Sequence, residues 1–255
     1  MSAMATERVD YGIDAPGIVR MVFMLGAGVL AAALVLGLAP WPGYPWGVVV
    51  AGVLGLVAAY LLGMGFLMLY GSKVGKLRRR DRLLEFVPWT GAETVLDVGC
   101  GRGLMLIGAA KRLTTGKAVG IDVWQAKDQS NNNPEATLAN ARLEGVSERV
   151  EVHTSDMRLL RFEDGTFDVI LSHWAVHNLE EQQDRKTALK EMARVLKPGG
   201  YIVLADIVHN DEYADAFTEF GLRDVKVLVE NDLMAQLSSA FVFGFFRFAT
   251  VCARK

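Results

Sequence analysis

From Met21 to Ser72 the chain carries no Asp, Glu, Lys or Arg. A run of 52 uncharged residues cannot form an ordinary solvated surface. A helix needs about 20 apolar residues, at 1.5 Å rise each, to cross roughly 30 Å of hydrocarbon. Met21–Ala39 supplies 19 and Gly47–Tyr70 supplies 24. Between them lies Pro40-Trp41-Pro42-Gly43-Tyr44-Pro45-Trp46, whose prolines break a helix and whose aromatics suit a membrane interface. The expectation is a transmembrane α-helical hairpin over 21–72, with helices at about 21–39 and 47–70. The alternative is a pair of helices buried in a soluble core. A cleaved signal peptide fits poorly, because its apolar region would be about 7 to 15 residues and no second span would follow.

Charge then sets orientation. Lys73, Lys76, Arg78, Arg79, Arg80 and Arg82 follow the second span, Arg8 and Arg20 precede the first, and the turn has no basic residue. Basic residues stay on the cytoplasmic side, so both termini are expected there, in a two-pass integral membrane protein. Residues 1–20 then form a cytoplasmic segment, 73–88 a basic juxtamembrane helix or linker, and 89–255 the main domain. The basic run either lies against anionic head groups, at about 1 kcal/mol per charge, or acts only as a topology signal. Residues 83–255 hold 19 basic and 25 acidic side chains, a net charge of −6, which argues against a nucleic-acid partner. Cys100 and Cys252 make no disulfide framework and no zinc-ligand pair.

From Trp89 onward, short apolar runs alternate with amphipathic stretches, the pattern of a parallel α/β sheet. Strands are expected near 94–98, 118–122, 150–154, 167–172, 200–206, 225–230 and 245–253. Helices are expected near 75–87, 104–113, 134–144, 184–196 and 211–220. The first strand runs into Gly99-Cys100-Gly101-Arg102-Gly103 and then a helix, so the backbone can approach a ligand at a helix N-terminus. A dinucleotide fingerprint would need glycine where Leu104 stands. Asp97, two residues before the first glycine, suits an amino-bearing cationic ligand better than a pyrophosphate.

Asp97-Val98-Gly99-Cys100-Gly101-Arg102-Gly103 resembles the DxGxGxG motif of the class I S-adenosylmethionine-dependent methyltransferases. Gly120-Ile121-Asp122, Ser155-Asp156-Met157, the run Phe162 to Ile170 and Ala193-Arg194-Val195-Leu196-Lys197-Pro198-Gly199-Gly200 continue that resemblance in order. It implies a doubly wound, Rossmann-like seven-stranded sheet ordered 3-2-1-4-5-7-6 with strand seven antiparallel, and S-adenosylmethionine as cofactor. By the same resemblance Asp97, Gly99, Gly101, Gly103, Asp122, Val123, Trp124, Asp156, Met157 and Ser172 form the cofactor site. Asp122 would take the ribose hydroxyls and Asp156 the adenine amino group, while Trp124 either stacks on adenine or packs under the next loop. The polar stretch Gln125 to Asn133 is longer than is common in the family.

After the fourth strand comes Ser172-His173-Trp174-Ala175-Val176-His177-Asn178. Ligands of open α/β sheets bind beyond the carboxyl ends of the strands at the switch in strand order. His173 and His177 stand four apart, but no third ligand accompanies them, and no metal is expected. One of them suits a proton acceptor; the alternative is that both order the loop. Asp206 and His209 point to the same rim, and His153 reads as structural. Tyr11 and Asp14, ahead of the first span, are candidates for holding an acceptor, against the alternative of a frayed terminus. The function implied is a membrane-anchored methyltransferase acting on a small molecule: an amine, a heteroaromatic nitrogen such as imidazole, a thiol, or a membrane-soluble phenol, quinone or lipid. A non-catalytic cofactor-binding membrane scaffold is the alternative, and a nicotinamide-dependent reductase is disfavoured by Leu104. The small-residue pairs Ala51/Gly55 and Ala59/Gly63 suggest a homo-oligomer through the spans.

Overall fold

The computed structural model describes residues 8–39, 46–125, 128–230, 236 and 248–255. The first helix, α1, spans Pro16–Leu38 and starts before the expected Met21. Pro16 sits in its first turn, where a fixed φ and a missing N–H cost nothing, so the helix takes in Arg20. The second, α2, is Trp46–Tyr70. By length and composition both can cross a bilayer. The aromatic turn at 40–45 lies outside the described residues.

The two helices close on each other through glycines. A Cβ at Gly26 would stand 2.9 Å from Leu62, and one at Gly65 would stand 2.9 Å from the Phe23 ring. Phe23 meets Phe66 edge to face at 5.2 Å. Gly55 has open space around it, whereas Ala51 Cβ lies 3.5 Å from where a Cβ on Gly37 would stand, so Ala51 faces the first helix and Gly55 does not. Leu38, Leu56 and Phe66 are 83%, 74% and 64% exposed, an apolar surface that suits lipid rather than water.

The helix expected near 75–87 is present, and it continues the second span without a break. Gly71–Gly75 takes a π-helical turn and α3 follows at Lys76–Leu84, so one rod runs from Trp46 to Leu84. No proline or capping side chain interrupts it, and the cap residues Tyr70 and Gly75 keep right-handed helical angles.

The sheet contains β1 (Thr94–Val98), β2 (Lys117–Asp122), β3 (Val150–Thr154), β4 (Phe167–His173), β5 (Leu196–Asp206), β6 (Arg223–Val229) and β7 (Ala249–Arg254). Its order is β3-β2-β1-β4-β5-β7-β6, with β7 antiparallel to both neighbours, as the resemblance implies. β5 starts at Leu196, earlier than expected, because Leu196 pairs with Phe167 ahead of a register shift. The remaining helices are α4 (Leu104–Ala110), α5 (Pro134–Leu143), α6 (Gln182–Val195) and α7 (Asn210–Glu219).

Alternation along the strands builds two cores. Val169 and Leu171 face a layer with Leu84, Leu106 and Ile107, while Ile170 faces one with Leu189, Met192 and Phe217. Full burial of such side chains contributes about 1.5 to 3 kcal/mol each. The helix leading out of the hairpin is therefore part of the domain core, with Leu84 completely buried. Strand order reverses between β1 and β4, which leaves a crevice at their carboxyl ends.

Candidate active site

On the β1–β2 side the crevice is made mostly of backbone. Gly99, Gly101 and Gly103 have φ of +73°, +50° and +85°. A Cβ at Gly99 would fall 2.2 Å from Ala175 Cβ, so only glycine lets the turn close against the loop after β4. Asp97 is 1% exposed and its Oδ2 accepts from Leu106 N at 2.8 Å. Burial pushes its carboxyl up to about 7; the Leu106 N–H opposes this and the nearby Asp122 charge adds to it. At the end of β2, Asp122 Oδ2 accepts from Gly101 N at 2.8 Å and Oδ1 accepts from Trp124 N at 2.6 Å. These bonds hold a carboxylate beside a turn in which three glycines carry no side chain. Such a cradle fits a ligand that carries both a cation and a ribose diol.

The other expected cofactor residues divide. Ser172 Oγ donates to Val98 O at 2.9 Å and ties β4 to β1 at the crevice floor. Met157 reaches the same floor, its Cε 3.8 Å from where a Gly99 Cβ would stand. Trp124, in the left-handed region, donates Nε1 to Thr154 Oγ1 at 2.8 Å and spans the ends of β2 and β3. Val123 is half exposed beside it. Asp156 sits at the outer edge with both oxygens on Arg158, at 2.6 and 3.1 Å, and those hydrogen bonds hold its carboxyl below the usual range.

The N-terminal segment reaches this half of the crevice and is stitched to it. Asp10 N donates to Asn140 Oδ1 and Asn140 Nδ2 returns a bond to Asp10 O, both at 3.0 Å. Arg102 Nε donates to Asp10 O at 2.6 Å, and Ser130 N donates to Ile13 O at 3.1 Å. Gln129 is the joint: its Oε1 accepts from Arg102 N at 2.8 Å and its Nε2 donates to Tyr11 O at 3.1 Å. Lys76 Nζ, from α3, caps Tyr11 O at 2.7 Å and Gly12 O at 2.9 Å and pairs with Asp14 at 3.2 Å. Asp14 also accepts from Ser72 Oγ. Tyr11 Oη donates to Glu144 Oε1 at 3.1 Å, just past the C-terminus of α5 and away from the carboxyl edge of the sheet. The side chains of Tyr11 and Asp14 thus hold the strap in place, and no contact with an acceptor is assigned to them. Gln129, Lys76 and Asn140 were invisible as site residues in the sequence; the one signal was the unusual length of the polar stretch after β2.

The β4–β5 side is built from large side chains. His173 stacks on Trp174 with centroids 4.9 Å apart, and Trp174 holds φ +55° while its N donates to Ala205 O. His173 Nε2 is buried and has no hydrogen-bond partner among the described residues. Burial, with the cations of Arg79 and Lys76, drives its pKa well below the usual imidazole value, so the ring is neutral. His177 lies in a short 3₁₀ turn, Val176–Asn178. Its N donates to Asp206 Oδ2 at 3.1 Å and its Nδ1 lies 2.5 Å from Asp206 Oδ1. Asp206, 1% exposed at the end of β5, also accepts from Ile207 N and Tyr213 Oη. A buried carboxylate so held makes Nδ1 the donor and leaves Nε2 of His177 as the free base. Arg79 of α3 closes this side. Its Nε donates to Glu230 at 2.7 Å, and its guanidinium lies 4.8 Å from the Trp174 ring centre and 5.3 Å from that of Phe248. His209 caps α7 with Nδ1 3.6 Å from Glu212, and His153 meets Phe162 edge-on. Among the described residues no group of three or more His, Cys, Asp or Glu is placed to hold a metal.

Comparison with known proteins gives a consistent result. Residues 96–204 match the family described as "Methyltransferase domain". The methyltransferase GfsG of Streptomyces halstedii is 34% identical over 141 residues, covering 55% of this chain and 47% of that protein. The demethylmenaquinone methyltransferase of Bacillus licheniformis is 29% identical over 167 residues, covering 65% of this chain and 64% of that one. Among solved structures, a SAM dependent methyltransferase from Aquifex aeolicus superposes with a TM-score of 0.53 at 24% identity, over 70% of this chain and 90% of that one. The chain spans about half the length of the first of these relatives. The match runs from the first strand of the sheet to the fifth, through the glycine turn and the carboxylate that faces it: residues 96–204 match a methyltransferase domain, and the seven-stranded sheet has the class I methyltransferase fold.

Proposed function

We propose that the protein is a membrane-anchored methyltransferase that methylates a small apolar molecule, a phenol or quinol by preference, arriving from the bilayer side. One observation carries this reading: both ends of the hairpin land on the carboxyl edge of the sheet. The strap ahead of Pro16 is bonded to residues 128–130 beyond β2, and the rod leaving the second span places Arg79 over Trp174 beyond β4. If the two apolar helices lie in a membrane, the crevice opens next to its surface. The basic residues after the second span put that surface, the domain and both termini on the cytoplasmic side.

S-adenosylmethionine, when bound, supplies an electrophilic methyl group on a sulfonium. The residues that would hold it are the 99–103 turn, Asp97, Asp122 and the Trp124 ring. For the acceptor, His177 Nε2 takes the proton while Asp206 holds the imidazole in the required tautomer and balances the charge that forms. A base in this position contributes typically 10²- to 10⁴-fold. Positioning supplies several kcal/mol more. The cations of Arg79 and Lys76 beside His173 and Trp174 disfavour a charged amine there and favour an aromatic hydroxyl. The Bacillus relative, whose name gives demethylmenaquinone as its substrate, supports a membrane-soluble ring compound.

The test is an acceptor panel with the full chain in lipid nanodiscs, following S-adenosylhomocysteine. Turnover of apolar phenols or quinols, with amines and thiols inert, is expected. Preference for a water-soluble amine would overturn the acceptor class. Cofactor binding with no turnover of any acceptor would favour the scaffold reading. Carbonate extraction that releases the protein from membranes would remove the anchor.

A further inference from the structure

We infer that the cavity between the strap and the rod is a phosphate-binding site, placed to take the headgroup phosphate of a membrane phospholipid. It measures about 200 Å³, and its lining includes Tyr11, Ser72, Lys73, Lys76, Arg80 and Glu144. It lies under the last residue of α2, alongside the π-helical turn at Gly71–Gly75. Single π turns inside helices recur at functional sites, and this one brings Ser72, Lys73 and Lys76 round toward the strap.

Arg80 points to the ligand. It is 9% exposed, its Nε donates to Asp81 at 2.8 Å, and its Nη1 is buried with no partner among the described residues. A buried guanidinium N–H without an acceptor is costly, and an oxyanion is the group that removes the cost. The neighbouring helix makes room for this side chain: a Cβ at Gly108 would stand 2.5 Å from Arg80 Cδ. Lys73, half exposed at the rim, pairs with Asp10 at 2.7 Å, and Lys76 is committed to the strap carbonyls. The one carboxylate in the lining, Glu144, is already engaged by Tyr11 and by Lys111. Each lining cation already has a carboxylate partner, Lys73 with Asp10, Lys76 with Asp14 and Arg80 with Asp81. What is left to claim an anion is the second arm of the Arg80 fork, whose buried Nη1 N–H groups suit phosphate oxygens.

Phosphate could come from a lipid headgroup or from solution. Only the first source rests on the membrane reading. The full chain in non-ionic detergent is therefore titrated in three arms, with thermal shift and native mass spectrometry as readouts: inorganic phosphate, phosphatidylglycerol, and diacylglycerol with the same acyl chains. A phosphate-dependent rise in melting temperature is expected in the wild type. Arg80→Gln should weaken the apparent affinity about ten-fold or more, the loss of one charge-assisted hydrogen bond. Response to phosphatidylglycerol alone identifies the headgroup; response to inorganic phosphate as well identifies a free anion as sufficient. Should Arg80→Gln fail to fold, Lys73→Gln at the exposed rim and Gly108→Ala, which fills the space Arg80 uses, must each weaken the same response. Equal responses in wild type and variants overturn the site, as does diacylglycerol retained as well as phosphatidylglycerol. A protein that carbonate releases from membranes, yet still binds inorganic phosphate through Arg80, overturns the anchor and leaves the site standing.

Discussion

The two halves of the crevice are built by opposite means. On the β1–β2 side the chain removes side chains: three glycines at positive φ bring backbone close to the ligand, and the one charged group at the mouth, Asp122, is held by backbone N–H donors. On the β4–β5 side it adds them. Two histidines, a tryptophan in a left-handed conformation and an arginine from the rod that continues the second apolar helix fill the edge. The first half can hold one shape of ligand and tolerates little change. The second sets its chemistry by which side chains arrive, so it can change acceptor without changing fold.

The sharpest way to break this contrast is Gly99→Ala. The added Cβ would stand 2.2 Å from Ala175 at φ +73°, and neither backbone can retreat without opening the crevice. A loss of about 4 kcal/mol or more in stability, with cofactor binding abolished, is expected. Calorimetry and thermal melts check it. Ala175→Gly on top of that change should restore part of the stability, since it removes the atom struck; no recovery would mean that φ strain, not the clash, dominates.

Asp97 comes next, through pH. Its folded carboxyl is raised from 3.8 to about 7, chiefly by burial, so the folded domain keeps a proton that the unfolded chain releases above about pH 4. The stability this gives is complete below pH 4 and is lost as pH rises to 7, a decline on the order of a few kcal/mol. Asp97→Asn should flatten the decline in ligand-free protein. A cationic cofactor favours the ionised carboxyl, so its affinity should rise over the same window and lose that dependence in the variant. Identical pH–stability curves for both proteins would contradict the burial argument.

On the other half, His177→Ala should lower kcat about 10²-fold or more and leave cofactor affinity unchanged. Asp206→Asn keeps the shape but upsets the tautomer, and should give a smaller loss in kcat. A parallel fall in cofactor affinity would place His177 in the cofactor half and erase the division.

The same division explains what could be read in advance. Backbone chemistry leaves a local signature: Asp97 to Gly103, and Asp122 at a strand end, are short patterns whose spacing alone narrows the ligand. The sheet order came with the family resemblance that these patterns carry. The acceptor half has no such signature, because its members come from distant elements. Arg79 and Glu230 are 151 residues apart and meet only because the rod packs on α4 and β5. The strap was anticipated in reach but not in role, since nothing in Tyr11 or Asp14 shows that Lys76 and Gln129 will engage them. Composition also could not show that the second span and the basic helix are one rod, because a π turn needs no special residue and only the absence of a breaker allows it.

Arg79 gives the smallest and most discriminating effect. Its Nε bond to Glu230 requires only a cation with a donor, which lysine also provides; its contacts with Trp174 and Phe248 require a flat guanidinium. Cation–π contacts of this kind are worth about 0.5 to 2 kcal/mol, more when desolvated. In Arg79→Lys the ion pair can persist while Trp174, which sits at φ +55° beside the acceptor histidines, loses the surface that holds it down. Acceptor KM should then rise about five-fold, roughly 1 kcal/mol, with kcat and cofactor affinity unchanged. If Arg79→Lys instead lowers cofactor affinity, the rod communicates with the glycine turn through Lys76 and the strap, and the two halves are one mechanical unit. If Arg79→Gln costs no more than Arg79→Lys, charge adds nothing at this wall, and the acceptor meets it as an apolar plane, as an aromatic ring drawn from a bilayer would.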